Sequence, residues 1–388
     1  MSIFDVRHQP RAHRLLQRAL ASERMPHAYL FAGPEGVGRE MLACRLAQRL
    51  LCASPVDQPA PADLRETLGV ERVGEACGTC PDCRLVLADT HPDLTVIHRM
   101  LAKQHPDSEV RKKKAQSLSI EVIRHFMIGR VALRPMHGQA KIFIIREAER
   151  LSDAAENCLL KTLEEPPQDT FIILISSAMD RMLPTTRSRC QQVLFGSLPV
   201  AFIAERLAEL RPATNSLEVA YLAQHANGSL GRALECADDG LFALATAWAQ
   251  RLGKLASQPP GFSATELVEP FLADARQLAK GVAERDPEMS DLDASRAGLQ
   301  RLLSVLAGWY REAMRQATGL PSDASQAELD GLVREIAAGW DPGAMVRALR
   351  QLNDTDLEVG RNANIDLAAA AMFIRLAGVF RRRSARLV

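Results

Sequence analysis

The sequence predicts an α/β protein in which a parallel five-stranded sheet, layered with helices, is followed by an all-helical half. Two observations carry that expectation. From Met1 to about Gly196, short strand-like apolar runs alternate with helix-period segments, the pattern of parallel strands joined by helical crossovers. Beyond Gly196 the strand signal disappears, and Ala, Leu, Arg and Glu recur at helical spacing through to Val388. With 388 residues the chain is too long for one ordinary core and fits two or three domains.

The strand candidates are His27–Gly33, Asp93–His98, Lys141–Ile145, Thr170–Ser176 and Gln191–Phe195. All but the second are near-continuous apolar runs, which predicts burial on both faces. Between the first two lies a helix over Met41–Leu51, with Leu42, Leu46 and Leu50 repeating every four residues. A compact helical stretch from Pro199 to about Asp239 ends in a turn-forming Asp-Asp-Gly. Long helices over Asp293–Thr318 and Asp366–Arg382 follow, with breaks at Gln258-Pro259-Pro260-Gly261 and around Asp286-Pro287. This divides the chain into a sheet domain (1–197), a small helical domain (198–240) and a helical C-terminal domain (241–388). No fixed-period repeat points to a solenoid.

Composition excludes several classes. Lys and Arg number 48 against 47 Asp and Glu, so the whole-chain field does not mark a nucleic-acid binder. No apolar run approaches the roughly 20 residues that cross a bilayer, and the start MSIFDVRHQP lacks a secretory pattern, so a cytoplasmic protein is expected. In that compartment eight cysteines are thiols or metal ligands rather than disulfides.

The first strand candidate runs through Gly33-Pro34-Glu35-Gly36-Val37-Gly38-Arg39-Glu40 into a helix, the context of a phosphate-cradling loop. Its glycine spacing is intact. Where such loops carry Lys the chain has Arg39, and where a Ser or Thr ligates magnesium it has Glu40, a carboxylate that repels triphosphate. After Ile142–Ile145 the acidic pair that would hold magnesium reads Arg146-Glu147. Both metal contacts are lost, so productive ATP binding is not expected. An ordinary strand-to-helix turn explains the glycines alone but not the second eroded position.

Cys77-Gly78-Thr79-Cys80-Pro81-Asp82-Cys83 places three thiols at two-residue gaps, suited to one tetrahedral zinc. The fourth ligand is Cys52, with Cys44 as its rival, giving a module over about 52–90. A closed four-thiolate shell is structural, not catalytic. Between Cys52 and Cys77 lie 24 residues, and the Pro-rich stretch Pro55–Pro61 reads as an insertion. Cys158 and Cys236 are expected to be small core residues.

From Ser152 to Cys190 the chain contains Leu159-Leu160-Lys161-Thr162-Leu163-Glu164-Glu165-Pro166-Pro167, then Leu183-Pro184-Thr185 and Arg187-Ser188-Arg189-Cys190. On these motifs it resembles the clamp-loader branch of the AAA+ superfamily, well over roughly the first 240 residues and only in general character beyond. The resemblance implies a non-hydrolysing subunit of a bacterial replicative DNA polymerase holoenzyme, a DNA-directed nucleotidyltransferase assembly. It implies that Arg189, flanked by Ser188 and Cys190, acts as an arginine finger on a neighbour's γ-phosphate. The plain alternative is a solvated arginine in a surface ion pair. Gly228-Ser229-Leu230-Gly231-Arg232-Ala233 resembles a second-domain nucleotide sensor, vestigial here, and Gly33, Gly36, Gly38 and Arg39 form an empty phosphate loop. The implied cofactor is one zinc. The implied partners are motor ATPase subunits, the delta subunit and, through the complex, sliding clamp and primed DNA, with the last domain joining a hetero-oligomeric collar. An active AAA+ motor is the competing class, and a zinc-dependent DNA-binding module a third. The basic runs Arg111–Lys114 and Arg381–Arg383 are expected to be solvated rather than DNA-binding.

Overall fold

The computed structural model describes residues 3–21, 25–60, 62, 65, 66, 69, 71–137, 139–257, 263–320, 327–337 and 342–381. The chain divides into two compact units, Met1–Pro199 and Val200–Val388.

In the first unit, α1 (Pro10–Ala21) precedes β1 (Ala28–Ala32), and α2 (Arg39–Leu51) follows the glycine loop. A two-stranded antiparallel ribbon, β2 (Val56–Pro59) with β3 (Arg72–Glu75), leads to α3 (Pro81–Leu87) and β4 (Leu94–Ile97). After short helical turns come β5 (Lys141–Ile145), α4 (Asp153–Glu164), β6 (Thr170–Ser176), α5 (Pro184–Ser188) and β7 (Gln191–Leu194). Strands β4-β5-β6-β1-β7 lie side by side in that order and all pair in parallel. The chain therefore returns to β1 late: Ala28 aligns with Ile172 on one side, and Tyr29 with Gln191 on the other.

All five predicted strands form, within a residue of their expected ends. Central β1 and β5 are buried at every position, as their apolar runs require. The last strand departs from expectation. In β7 only Val193 is buried, because this strand lies at the sheet edge, where just one face and one side are covered. Sequence reasoning also missed the β2–β3 ribbon.

The second unit is helical throughout its described residues: α6 (Val200–Leu210), α7 (Ser216–His225), α8 (Leu230–Asp238), α9 (Leu241–Ser257), α10 (Val268–Arg285), α11 (Asp291–Ala317), α12 (Ala327–Ala337), α13 (Pro342–Gly360) and α14 (Ile365–Arg381). The predicted long helices match α11 and α14 to within two residues. The break at Asp286 ends α10, whereas 258–261 and 382–383 lie outside the described residues. The core holds Trp248, Phe271 and Phe373, with ring centroids 5.2–5.9 Å apart.

Around residue 240 the helices are cross-linked. Arg285 clamps Asp239 through two bonds of 2.8 Å, and Arg301 of α11 pairs with both Asp239 and Glu235. Nearby, the His225 ring stacks on Tyr221, and its Nε2 lies 3.2 Å from Ser304 Oγ. Ser304 Oγ is also 2.6 Å from the Arg301 carbonyl, to which it donates, leaving its oxygen to accept from the His225 ring. Burial, with Arg232 and Arg311 nearby, pushes His225 down to about 4, below an ordinary histidine near 6.5. The unfolded chain therefore binds more protons between those values. Stability is full above about pH 6.5 and falls as pH drops towards 4, by up to about 3 kcal/mol and less because the ring is half-buried. The expected result is that His225→Gln flattens the acid side of the denaturant midpoint-versus-pH curve. A mutant curve parallel to the wild type between pH 4 and 6.5 would contradict this.

Candidate functional site

The phosphate loop has the backbone its glycines predict. Gly36 and Gly38 sit at φ 68° and 100°, which β-carbon-bearing residues rarely adopt. At Gly33 a β-carbon would lie 2.5 Å from the Phe195 carbonyl oxygen, so only glycine lets β1 and the segment after β7 approach. Gly38 then opens α2, with Arg39 at its first position. The Arg39 side chain is buried, and its Nη1 has no hydrogen-bond partner among the described residues. Burial lowers its pKa, opposed by Glu149 and Glu35.

The two eroded magnesium positions meet. Glu40 Oε1, from the start of α2, forms an ion pair with Arg146 Nη2, which follows β5. Glu147 is turned away at φ 50° and accepts from Arg99 Nε at 3.0 Å, with Arg150 Nε at 3.2 Å. No sequence signal links Glu40 to Arg146.

Arg189 belongs to a segment mounted on α4. Ser152 caps that helix by accepting from Ala155 N at 3.2 Å. Buried Glu156 accepts from Leu183 N at 3.0 Å, fixing the start of α5, and burial raises its pKa. At the far end, Arg189 Nη1 donates to the Thr185 carbonyl at 3.0 Å, and Nη2 lies 2.5 Å from Glu164 Oε1. Ser188 Oγ donates to the same carbonyl at 3.1 Å. Cys190 is buried in the sheet core and pushed up to about 12 by that burial, so its role is packing. Among the described residues no contact joins Arg189 to the glycine loop. Glu164 is the partner that sequence reasoning missed.

The cysteine cage closes. Cys52 ends α2, Cys80 caps α3, and Cys83 lies in its first turn. The sulfurs of Cys52, Cys77, Cys80 and Cys83 all lie within 4.8 Å of one another. Individual separations are 3.6 Å (52–77), 3.9 Å (52–80) and 4.0 Å (77–83). A tetrahedral zinc with bonds of about 2.3 Å requires sulfur–sulfur edges of about 3.8 Å. The donor set therefore fits zinc. Amide N–H groups of Thr79 and Cys80 pull Cys77 down to about 6, favouring thiolate, while burial pushes Cys52 and Cys83 up. The β2–β3 ribbon explains how 24 residues can separate Cys52 from Cys77: the chain goes out and returns, with Val56 opposite Glu75. Cys44 stays outside the cluster. Gln48 Nε2 donates to the Cys83 carbonyl and Arg49 Nε to that of Gly74, tying the module to α2. Asp82 lies 3.1 Å from His137 Nδ1 and 3.4 Å from His91 Nε2, joining it to the sheet domain.

The other predicted residues have local roles. Ser229 accepts from Arg232 N at 3.0 Å and caps α8, leaving the Arg232 side chain half-buried. Arg111 is spent on the carbonyls of His105 and Pro106, and Lys112 pairs with Glu109. Cys236 is buried as expected, whereas Cys158, within α4, is only half-buried.

Residues 8–199 match the family described as DNA polymerase III, delta subunit. The delta' subunit of Bacillus subtilis DNA polymerase III is 31% identical over 202 residues, covering 52% of this chain and 51% of that protein. The Pseudomonas aeruginosa delta' subunit is 36% identical over 166 residues, covering 43% and 42%. The tau subunit of Salmonella typhimurium is 27% identical over 375 residues, covering 92% of this chain and 50% of that protein. The chain thus spans about half the length of the relatives it matches. Residues 8–199, about half of this chain, thus match the DNA polymerase III delta-subunit family, and over that stretch the chain is delta-prime-like in sequence.

Proposed function

We propose that this chain is a non-hydrolysing clamp-loader subunit that lends Arg189 to the ATP site of a neighbouring motor subunit while the assembly loads a sliding clamp onto primed DNA. One observation carries the reading: the side chains at the two magnesium positions, Glu40 and Arg146, are paired with each other. A cation already neutralises the carboxylate, and no ligand remains there for a metal bridging β- and γ-phosphates. Residues 1–197 are the nucleotide-type domain, 198–240 a lid carrying the vestigial sensor Arg232, and 241–388 the collar that joins motor and delta subunits. Gly33, Gly36, Gly38 and Arg39 keep the loop's shape without productive ATP. Zinc on Cys52, Cys77, Cys80 and Cys83, when bound, supplies four bonds that cross-link the module.

A second reading, an active motor ATPase, draws on the match to the tau subunit across 92% of this chain. Titrating the isolated full chain with ATP, with and without magnesium, separates the two. The expected result is no magnesium-dependent binding at micromolar ATP and no turnover. Micromolar affinity with magnesium-dependent hydrolysis would install the motor reading instead.

A further inference from the structure

Arg189 does not project freely. Its guanidinium is held at two points within its own chain, by the Thr185 carbonyl and by Glu164. Glu164 is the last residue of α4, where the helix presents unpaired carbonyls and its negative dipole end. A carboxylate is poorly placed there unless a cation joins it, and Arg189 is that cation. The same helix fixes the other end of the segment through Glu156 and Leu183 N, so α4 sets both the path of the backbone and the resting direction of the guanidinium. The Arg189 side chain is 34% exposed and that of Glu164 49%, so water reaches the pair and the contact is weak enough to exchange.

From this geometry we infer that Glu164 is a positioning residue, a cis latch that occupies Arg189 until a more highly charged phosphate displaces it. The inference rests on the finger role proposed above. A terminal phosphate offers more charge and three acceptor oxygens to a fork of five N–H donors, so it outcompetes a single carboxylate at the same guanidinium. The latch parks the guanidinium at one place on its own surface and makes its release depend on nucleotide next door.

The test uses the full chain reconstituted with motor and delta subunits, with steady-state ATP turnover as the readout. Glu164→Gln keeps the shape and removes the charge. It is expected to lower the half-saturating ATP concentration about two- to fivefold, with maximal turnover unchanged within about twofold. Glu164→Ala should do the same. On an Arg189→Ala background, Glu164→Gln should have no effect on half-saturation. An unchanged or raised half-saturation in the single variants overturns the latch, as does an equal drop without Arg189. If Arg189→Ala itself leaves turnover intact, it is the finger reading that fails.

Discussion

On the finger role proposed for it, Arg189→Ala in the reconstituted assembly is expected to lower ATP turnover at the neighbouring site by about 10³-fold or more, the usual worth of such a residue. Assembly itself should survive. Among the described residues the Arg189 guanidinium contacts the Thr185 carbonyl and Glu164, both at the surface, and the neighbouring segment is anchored independently by Glu156 and by burial of Cys190. Removing the guanidinium therefore removes a charge without unseating α5. Arg189→Lys restores the charge but not the planar fork, so recovery should be partial. Single-turnover ATP hydrolysis, with size-exclusion chromatography to verify assembly, checks both. Wild-type turnover in the alanine variant would remove the finger from the account.

The second large effect concerns the cysteine cage. Elemental analysis should find about one zinc per chain, and Cys83→Ser or a strong chelator should abolish it. Structural zinc sites contribute apparent free energies of about 10–16 kcal/mol in isolated finger peptides at pH 7. Here part of the module is also held by Gln48, Arg49 and Asp82, so its loss should be local. Limited proteolysis should then gain new cuts within 52–90, with the cutting pattern elsewhere unchanged. A metal-free protein equally resistant to protease would show that packing alone holds the four thiols together.

The parts of the structure legible in the sequence are those that leave a periodic or short-range trace. Lys141–Ile145 and Thr170–Ser176 are apolar runs long enough to name strand and burial together. The Cys77–Cys80–Cys83 spacing names a metal site because a two-residue gap turns each sulfur to one centre. The β2–β3 ribbon left no such trace: Val-Asp-Gln-Pro is exposed at all four positions, so there is no apolar alternation to read. Burial of Gln191–Phe195 was over-read because sheet order, which puts β7 at an edge, is a property of the whole fold. Nor could sequence supply the pairs Glu40–Arg146 and Arg189–Glu164. Each partner is an ordinary surface residue, and only the tertiary path brings the two together.

The Glu40–Arg146 contact also bears on repair. Replacing Arg146 by Asp alone would set two carboxylates against each other, and replacing Glu40 by Thr alone would leave a guanidinium where a divalent cation has to sit. At 40% and 45% exposure water takes over either lost contact, so neither single change should cost much stability. Magnesium coordination nevertheless requires both replacements together, because either survivor by itself still spoils the site.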